Sequence, residues 1–515
     1  MGYPADYALT QPDKPAMIMA ESGRRMSFAE LDRRSSALAV LMRDSGLRAG
    51  DTVAVVSENR LEWAEVVWAA ARAGFDLAPL NFHLGSAELG EMLKACDAKA
   101  AVVSPACRAA VERAAKTLSN GLMLWCFDGR FQGGHESGYE LALAAVDERI
   151  DDEILGGRVM FSSGTTGTPK AIRHRPSVVH PRSAAPHLGE YTELFGLDRN
   201  STYLSPAPNY HTAPFRFVFA VTQLGGTVVC MERFDAATAL DAMQRYGVTH
   251  AQFVPTMLIR MDALGESEKA RADLSALRVA ITGAAPCPPE LKDRVLSWWG
   301  PVLHELYGAS EGYGNTHIGP EEVARHRGSV GRAVRGCIHI TDGDGSPLPV
   351  GRDGIVWFEG GTQHSADGAA WRTVGDLGHL DADGYLYLVG RANQLIVSGG
   401  VNVHPLEVER VLAVHPAVLD VAVVGRPHPE YGELVVAYVV PRVEAVDERA
   451  LAADVIGFCR DRLAHYKCPR EVHSVAALPR GENGKMYSRL LASLDDPAEG
   501  VGHTTEGLDL TGTVR

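Results

Sequence analysis

The sequence predicts an α/β protein with a large N-terminal domain of parallel α/β layers and a β-rich subdomain, followed by a small α+β C-terminal domain. From about Val53 onward, short β-branched runs alternate with helical patterns, which is typical of parallel sheets covered by helices. From Gly328 to Val389 the pattern changes to short alternating strands with Asp-Gly turns, which are typical hairpin connections. A compact group of helices and strands follows Arg391. These three patterns of predicted secondary structure, in this order, define the predicted fold class.

The parallel layers are predicted from four pairs, each with an apolar strand and a following helix. Strands that are apolar throughout are buried on both faces, as they are between two layers of helices. The predicted pairs are strand 53–56 with helix 61–73, strand 100–103 with helix 108–116, strand 227–230 with helix 236–246, and strand 278–282 with helix 288–299.

The C-terminal domain is predicted from a helix over 405–412, strands over 421–425 and 433–440, and a helix over 448–463. The last segment is polar and rich in Gly and Thr, so we expect it to be disordered. The predicted divisions are residues 1–390, with the β-rich subdomain at about 328–390, then 391–494, and the tail 495–515.

Composition excludes several classes of function. The chain has 515 residues and a net charge of −14, whereas sequence-independent nucleic-acid binding needs a basic face. Its eight cysteines are scattered without a CxxC pair, which indicates reduced thiols rather than zinc or disulfides. No stretch approaches the roughly 20 apolar residues of a membrane span, and the N-terminus does not resemble a signal peptide. We therefore expect a cytoplasmic protein.

A hydroxyl-rich loop follows the predicted strand 158–161. It reads Phe161-Ser-Ser-Gly-Thr-Thr-Gly-Thr-Pro-Lys170. Its two glycines allow a tight turn that aims backbone N–H groups inward, and its hydroxyls and lysine add further donors, which suits a polyphosphate. The loop does not match the Walker pattern of P-loop NTPases. A flexible surface loop is the alternative, and the preceding strand and the Pro-Lys ending favour phosphate binding over it.

Further motifs follow this loop in a fixed order. They are Gly283-Ala-Ala-Pro286, Glu305-Leu-Tyr-Gly-Ala-Ser-Glu311, Arg372-Thr-Val-Gly-Asp376, Gly390-Arg391, Val397-Ser-Gly-Gly400 and Pro479-Arg-Gly-Glu-Asn-Gly-Lys485. Together with the loop, they resemble the motifs of the adenylate-forming superfamily, which includes acyl-CoA synthetases, luciferases and the adenylation domains of peptide synthetases. The resemblance extends from about Pro12 to Lys485 and favours the acyl-CoA synthetase, or fatty-acid–CoA ligase-like, branch.

The resemblance implies a binding site for ATP and AMP. Tyr307 would stack on adenine, the Ser310 hydroxyl would meet the α-phosphate, and Glu311 would hold Mg²⁺, a hard cation that prefers carboxylate oxygens. Asp376 would accept the ribose hydroxyls, and Arg391 would reach the ribose or a phosphate. The implied nucleotide-binding residues are Ser162, Ser163, Gly164, Thr165, Thr166, Gly167, Thr168, Lys170, Gly283, Ala284, Ala285, Tyr307, Gly308, Ser310, Asp376 and Arg391.

The resemblance also implies the catalytic machinery. Lys485 would bridge the attacking carboxylate and the α-phosphate, where a positive charge stabilises the transition state. The implied catalytic residues are Lys485, Glu311, Thr165 and His211. Asn483 stands where the family has Ser or Thr, which affects the geometry of the loop but not the charge of Lys485.

The small domain is mobile in the family and turns about a hinge, which corresponds to Asn393. The family usually has Asp or Lys at that position, and Asn also tolerates unusual backbone angles. After the rotation, Ser398, Gly399 and Gly400 would line the tunnel for the pantetheine of coenzyme A (CoA), because glycines leave room for close passage.

The acyl pocket is implied to lie along the helix that follows Ser205, with His211 at the carboxylate entrance. Residues 209–224 contain no carboxylate, so the ammonium of an amino acid would be buried without a partner. We therefore expect an apolar acid. For Arg216, the sequence favours a solvated or structurally paired side chain over contact with the substrate. The implied pocket residues are Asn209, Tyr210, His211, Phe215, Phe253 and Gly283.

The resulting hypothesis is an acid–thiol ligase that uses ATP, Mg²⁺ and CoA. It would form an acyl-AMP and then an acyl-CoA thioester, with release of AMP. Alternatives are an enzyme that loads a separate carrier protein, an enzyme that performs only one half-reaction, and a nucleotide-binding regulator without turnover. The regulator is disfavoured because Lys485 has no purpose in binding alone. Fatty, aryl, alicyclic, terpenoid and steroid acids are all open, as is a homodimer.

Overall fold

The structure is a computed structural model that describes most of the chain in two compact units. One unit comprises Met1–Gln252 with Leu264–Ala280, and the other comprises Phe253–Ala263 with Ile281–Arg515. The predicted disordered tail, 495–515, lies outside the described residues. Those residues are 2–119, 121–128, 138–162, 170–176, 178–184, 189–308, 312–360, 370–443, 447–481, 484, 486–487 and 490–491, without the side chains of Ser162, Lys170 and Glu190.

The helices agree with the predicted positions to within one residue in all four strand–helix pairs. None of the described helices combines the length and the apolarity needed to cross a membrane. The α-helices are α1 (Pro4–Thr10), α2 (Phe28–Asp44), α3 (Glu62–Ala73), α4 (Ser86–Ala95), α5 (Arg108–Ala115), α6 (Tyr139–Ala144), α7 (Glu190–Leu194), α8 (Thr212–Gln223), α9 (Ala236–Arg245), α10 (Pro255–Asp262), α11 (Glu266–Arg271), α12 (Pro289–Trp299), α13 (Pro320–Val323), α14 (Pro405–Leu412) and α15 (Glu448–Arg460).

The strands of the four pairs agree with the prediction to within two residues. The strands are β1 (Pro15–Met19), β2 (Arg25–Ser27), β3 (Thr52–Val56), β4 (Asp76–Leu80), β5 (Ala98–Val103), β6 (Met123–Cys126), β7 (Arg158–Ser162), β8 (Lys170–His174), β9 (Thr202–Ser205), β10 (Thr227–Cys230), β11 (His250–Phe253), β12 (Val279–Gly283), β13 (Leu303–Gly308), β14 (Asn315–Ile318), β15 (Arg332–Ala333), β16 (Cys337–Thr341), β17 (Gly354–Glu359), β18 (Trp371–Arg372), β19 (Asp376–Leu380), β20 (Leu386–Arg391), β21 (Ile396–Ser398), β22 (Val401–Val403), β23 (Val418–His428), β24 (Gly432–Pro441) and β25 (Glu471–Ser474).

In the first unit, six strands form a sheet in the order β6-β5-β3-β4-β7-β8. The first five strands are parallel, and β8 runs antiparallel to β7. All residues of β3 and β4 are buried, as the apolar pattern predicts for a sheet covered on both faces. On one face, Val159 of β7 belongs to the same apolar cluster as Leu89 and Leu93 of α4 and Val111 of α5.

Five strands of another sheet are neighbours in the first unit, in the order β11-β9-β10-β1-β2. Here β1 lies parallel to β10, and β2 turns back antiparallel to β1. The pattern analysis, which begins at Val53, did not predict α1, β1, β2 or α2. The sequence nevertheless contains a signal for the start of α2, the Ser-x-x-Glu spacing of Ser27 and Glu30. Ser27 Oγ accepts a hydrogen bond from the Glu30 backbone N–H, and the Glu30 carboxylate accepts one from the Ser27 N–H. This capping box fixes the start of α2.

In the second unit, β15, β14, β13 and β12 are neighbours in that order, and β13 pairs antiparallel with β14. A separate antiparallel sheet has the order β16-β17-β19-β20, with β18 on β17. These short strands confirm the predicted change to alternating β-structure. They also bring the ends of β13, β19 and β20 to one place, where the candidate site lies.

The C-terminal part of the second unit has its own sheet, in the order β22-β21-β24-β23 with β25 parallel to β24. One apolar cluster joins this sheet to α14 and α15 through Val408, Leu412, Leu451 and Val455. Its predicted elements are present, although the first long strand is longer and the last helix is shorter than predicted. The predicted α/β fold class is confirmed. The domain boundary at 390 stays a prediction.

Candidate active site

Three side chains meet at the ends of three strands in the second unit. Tyr307 lies near the end of β13, Asp376 begins β19 and Arg391 ends β20. The register of β19 and β20 places Asp376 opposite Arg391. The Tyr307 hydroxyl donates a hydrogen bond to Asp376 Oδ2 at 2.5 Å, and Arg391 Nε donates one to Oδ1 at 2.8 Å. The structure therefore brings together three of the side chains predicted to bind the nucleotide.

The environments of these three groups differ. Asp376 is only 5% exposed, whereas the Arg391 side chain is 47% exposed. Burial raises the pKa of the Tyr307 hydroxyl well above its ordinary value, and the Asp376 charge raises it further. Tyr307 therefore remains protonated and acts as a donor. Each Asp376 oxygen accepts one of these hydrogen bonds and keeps a lone pair, so the carboxylate is oriented and still able to accept hydroxyls.

The turn after β12 lies directly beside the strand that carries Tyr307. A Cβ on Gly283 would lie 2.5 Å from the Leu306 carbonyl oxygen, so only glycine allows this approach. A Cβ on Gly308 would lie 2.0 Å from Asn315 Oδ1. Ala284 has a φ of +67°, which costs a non-glycine residue about 1–2 kcal/mol. Such strain is typical of functional turns.

The loop that precedes Lys485 is anchored by an arginine. Arg480 forms two hydrogen bonds with the Asp420 carboxylate, at 2.8 and 2.9 Å, which is the strong bidentate arrangement. Gly484 has a φ of +73°, and a Cβ there would lie 3.3 Å from Val254 Cβ, just before α10. The residue that precedes Lys485 therefore packs against the start of α10.

The hinge and the glycine-rich turn lie in the C-terminal part of the second unit. Asn393 belongs to a 3₁₀ turn, Ala392–Gln394, directly after β20. Ser398 is buried, while Gly399 and Gly400, between β21 and β22, have φ values of +58° and +79°. The Gly399 N–H donates to the Tyr431 carbonyl at 2.8 Å. Their positive φ angles favour glycine at both positions, independently of any role in lining a path for CoA.

At the start of the predicted acyl pocket, two asparagines hold the turn before α8. Asn59 Nδ2 donates to the carbonyls of Ala207 and Met231, and its Oδ1 accepts the Asn209 N–H at 2.9 Å. Both asparagines are buried. Asn59 was not predicted, because no local pattern links it to a turn 150 residues later. It fixes the backbone from which His211 begins α8.

Aromatic rings follow this turn. The Tyr210 ring lies 4.1 Å from the His211 ring and 5.7 Å from Phe82, and Phe215 lies 6.4 Å from Phe219 (centroid distances). In the second unit, the fully buried Phe253 packs against Trp299 at 5.5 Å. These contacts show aromatic packing along α8 and around Phe253, and the role of these residues in an acyl pocket stays a prediction.

Two basic residues lie opposite each other on neighbouring strands of the first unit. Arg158 begins β7 and His174 ends β8, directly opposite each other. Burial, with the charge of Arg216 adding to it, lowers the pKa of Arg158 to about 10. Burial, with the charges of Arg158 and Arg216 adding to it, lowers the pKa of His174 to about 4. Arg216 of α8 is therefore near both groups, and His174 is neutral at pH 7.

Several predicted residues cannot be placed. They lie outside the described residues, or, for Ser162 and Lys170, only their backbone is described. These residues are Ser162, Ser163, Gly164, Thr165, Thr166, Gly167, Thr168, Lys170, Ser310, Glu311, Asn483 and Lys485. The roles of all the predicted site residues, placed or not, stay predictions.

Comparison with known proteins decides the family. The model of the AMP-binding enzyme family matches residues 5–364, and that of the AMP-binding enzyme C-terminal domain matches residues 407–485. The chain belongs to the AMP-binding enzyme family.

Relatives of this AMP-binding enzyme match along nearly their whole length. Indoleacetate–CoA ligase of Aromatoleum aromaticum is 31% identical, over 93% of this chain and 95% of the relative. Sulfoacetate–CoA ligase of Cupriavidus necator is 30% identical, over 92% of this chain and 94% of the relative. The crystal structure of ATP-bound MatB from Rhodopseudomonas palustris has a TM-score of 0.77 and 27% identity, covering 96% of this chain and 99% of that one.

These matches confirm the predicted superfamily and its acyl-CoA synthetase branch. The predicted class of enzyme, an acid–CoA ligase that works through an acyl-AMP, is likewise confirmed. The sequence patterns of the AMP-binding enzyme did not predict roles for Asn59, Arg480, Arg158 and His174. For Arg158 a signal was available, because a charge at the start of an apolar strand is unusual.

The described donor set of the AMP-binding enzyme fits a nucleotide: an aromatic ring, a buried carboxylate and an exposed guanidinium lie in one cluster. The predicted ligand of Mg²⁺, Glu311, lies outside the described residues. Another group, His326, Asp381 and Asp383, has ligand atoms within 4.8 Å of one another. There Asp381 Oδ1 accepts the N–H groups of Asp383 and Tyr385, so we interpret the group as a hydrogen-bonded turn.

Proposed function

We propose that the chain activates an organic acid with MgATP at the Tyr307 cluster and transfers the acyl group to CoA, with the residue roles given below. The observation that carries this proposal is the arrangement of Tyr307, Asp376 and Arg391 beside the strained turn at Ala284. The side chains proposed for adenine, ribose and phosphate are joined by hydrogen bonds through Asp376. Such preorganisation reduces the cost of ordering a ligand.

In the first step, the carboxylate oxygen attacks the α-phosphorus, and the bond to pyrophosphate breaks. The loop 162–170 holds the phosphates, and Lys485 stabilises the negative charge that develops between the carboxylate and the α-phosphate. Glu311 would hold Mg²⁺, which would neutralise negative charge on the phosphate oxygens. Asp376 holds the ribose hydroxyls, and the Tyr307 ring lies against adenine. The products are acyl-AMP and pyrophosphate.

In the second step, the small domain turns at Asn393, so that Lys485 leaves and the 398–400 turn approaches. The CoA thiol, as its thiolate, attacks the acyl carbonyl carbon. The mixed anhydride breaks, and AMP leaves with its phosphate charge. Ser398, Gly399 and Gly400 leave space for pantetheine. Both steps therefore use one nucleotide position with two arrangements of the smaller domain.

The proposal also covers the acceptor of the acyl group, the cellular compartment and the oligomeric state. We propose free CoA as the acceptor, since the relatives reported above are CoA ligases, and a separate carrier protein is the alternative. All eight cysteines are free thiols, and only Cys337 is exposed, which suits a reducing cytoplasm. A homodimer would be detected by light scattering.

The proposal is tested by two assays on the full chain. Exchange of labelled pyrophosphate into ATP should depend on an added carboxylic acid, and thioester should form with CoA rather than with carrier protein. Lys485→Ala should abolish the exchange but retain thioester formation from synthetic acyl-AMP. If the exchange persists in Lys485→Ala, the assigned role of Lys485 is wrong. If only synthetic acyl-AMP is converted by the wild type, the chain performs the second step alone.

A further inference from the structure

Helix α14, which follows the hinge, packs against β20, which precedes it. The Arg410 guanidinium of α14 donates a hydrogen bond from Nη2 to the Leu388 carbonyl oxygen at 3.0 Å. The pairing of β20 with β19 passes from Leu388 to Gly390, so the ladder is irregular at Val389, as it is at a β-bulge. Arg410 therefore holds the backbone of β20 beside this irregularity, a few residues before the hinge.

The charge of Arg410 is also attracted to residues that precede the hinge. Burial lowers the pKa of Arg410, and the charges of Glu305 on β13 and Glu290 on α12 raise it. Glu305 also forms an ion pair with Lys292, so its charge is shared between two cations. Arg410 is partly buried, and a buried guanidinium is stable when carboxylates lie near and its N–H groups have acceptors. These attractions draw α14 toward the part of the second unit that precedes the hinge.

At the start of α14, one group opposes this contact. His404 is the N-cap residue of α14, and a Cβ on Gly390 would lie 3.4 Å from His404 Nδ1. That nitrogen is buried and has no hydrogen-bond partner in the described part of the chain, which is unfavourable. The contact between α14 and β20 thus combines a stabilising interaction at Arg410 with a destabilising one at His404, so that it can be broken at a modest cost.

The contact exists while the loop of Lys485 lies against the start of α10. Gly484, just before Lys485, lies beside Val254. Strand β20 precedes the 392–394 turn and α14 follows it, so a rotation at this turn separates Arg410 from β20. In the terms of the proposed function, the contact at Arg410 belongs to the arrangement of the first step and breaks before the second.

We propose that Arg410 is a positioning residue of the first step, which holds the small domain in the arrangement that presents Lys485 and releases it for the second step. Arg410 acts through the position of the small domain and not through contact with the reactants. The inference rests on the proposed function, because it assigns one residue to the proposed change of arrangement.

The test compares the two half-reactions in Arg410→Met, which keeps an unbranched stem and removes the donor and the charge. Single-turnover experiments on the full chain measure acyl-AMP formation from ATP and the best of a panel of fatty, aryl and alicyclic acids. They also measure thioester formation from the synthetic acyl-AMP of that acid and CoA. We expect the ratio of the second rate to the first to rise at least about tenfold, because loss of a charge-assisted hydrogen bond shifts a two-state equilibrium by such a factor.

Two further variants show whether the hydrogen bond is the cause. Arg410→Lys keeps the charge and a donor, and its ratio should stay within about threefold of the wild type. The matched control is Arg460→Met, which removes an exposed arginine from the last turn of α15 in the same small domain. Arg460→Met should leave the ratio unchanged.

A purely structural role for Arg410 has a different signature. Both rates would then fall by the same factor in Arg410→Met, and an unchanged ratio, with or without such a fall, would overturn the inference. A ratio that rises as much in Arg410→Lys as in Arg410→Met would overturn it too.

Failure of the proposed function is recognised separately. If the wild type forms acyl-AMP with no acid, the proposed first step is wrong. The inference is then decided by thioester formation from synthetic acyl-AMP alone, which should be faster in Arg410→Met than in the wild type, and an equal or slower rate would overturn it.

Discussion

The Tyr307 hydroxyl donates a hydrogen bond to Asp376 at 2.5 Å, so the ring proposed for adenine is held by the carboxylate proposed for ribose. The two residues are 69 positions apart and lie on different sheets of the second unit. Because the same carboxylate is also held by Arg391, a change in one of these side chains should alter the position of the others.

Tyr307→Phe keeps the ring and removes this hydrogen bond. We expect the KM for ATP to rise about fivefold, the equivalent of the roughly 1 kcal/mol that one such bond contributes, with little change in kcat. Tyr387→Phe is the control, since its hydroxyl donates to Asp381 at 3.3 Å in a neighbouring turn. Steady-state kinetics with varied ATP measure both variants, and an unchanged KM in Tyr307→Phe would contradict the proposed nucleotide position.

The loop that carries Lys485 should depend on Arg480. Arg480→Ala removes both hydrogen bonds to Asp420, and misplacement of a catalytic group by about 1 Å can cost a hundredfold. We expect acid-dependent pyrophosphate exchange to fall about tenfold to a hundredfold, while synthetic acyl-AMP is still converted with CoA.

Arg426→Ala provides the control for this loop. Arg426 lies on the same strand as Asp420, near its other end, and forms an ion pair with Glu471. Equal losses of exchange in Arg426→Ala and Arg480→Ala would mean that general stability, and not the position of the loop, explains the effect.

The fold was largely predictable because periodicity is a local property. Buried strands and amphipathic helices of the layers can be recognised from about ten residues each. The Arg480–Asp420 pair and the Asn59–Asn209 contact are different, since their partners are 60 and 150 residues apart. The Arg158–His174 pair at β7 and β8 depends on strand register, and a shift of one residue would separate its side chains onto opposite faces. Such relationships require the structure.

Glu409 should make stability depend on pH. Its carboxyl lies on α14, where burial raises its pKa to about 7, and its Oε1 accepts the Val423 N–H at 2.9 Å. Between its ordinary pKa of 4.5 and about 7, the folded protein binds more protons than the unfolded one, so the free energy of unfolding falls as pH rises. The total decrease is about 3 kcal/mol.

Glu409→Gln should remove that decrease, because a neutral amide keeps an acceptor for Val423. Urea unfolding from pH 4 to pH 8 measures the effect, and Glu448→Gln, at an exposed position of α15, is the control. A slope that is the same in Glu409→Gln and in the wild type would show that other groups cause the pH dependence.

Alanine substitution at Gly400 can distinguish an effect on the passage of CoA from an effect of backbone strain. A Cβ at Gly400 would have no atom within 4 Å, and its φ is +79°. Gly345, in an exposed turn, has the same open surroundings and a φ of +85°. Alanine at either position should therefore cost a similar 1–2 kcal/mol or so of stability, and Gly345→Ala should leave both half-reactions intact.

If the 398–400 turn lines the CoA path, Gly400→Ala should slow thioester formation from synthetic acyl-AMP about tenfold or more, the effect of roughly 1.4 kcal/mol on the barrier. Pyrophosphate exchange should stay within about twofold of the wild type, because adenylation precedes the rotation. Single-turnover measurements of each half-reaction make the comparison. Since the two alanine variants share the same strain, a loss of the second step confined to Gly400→Ala would show that Gly400 acts in that step itself, in the approach of the turn or in the passage of CoA.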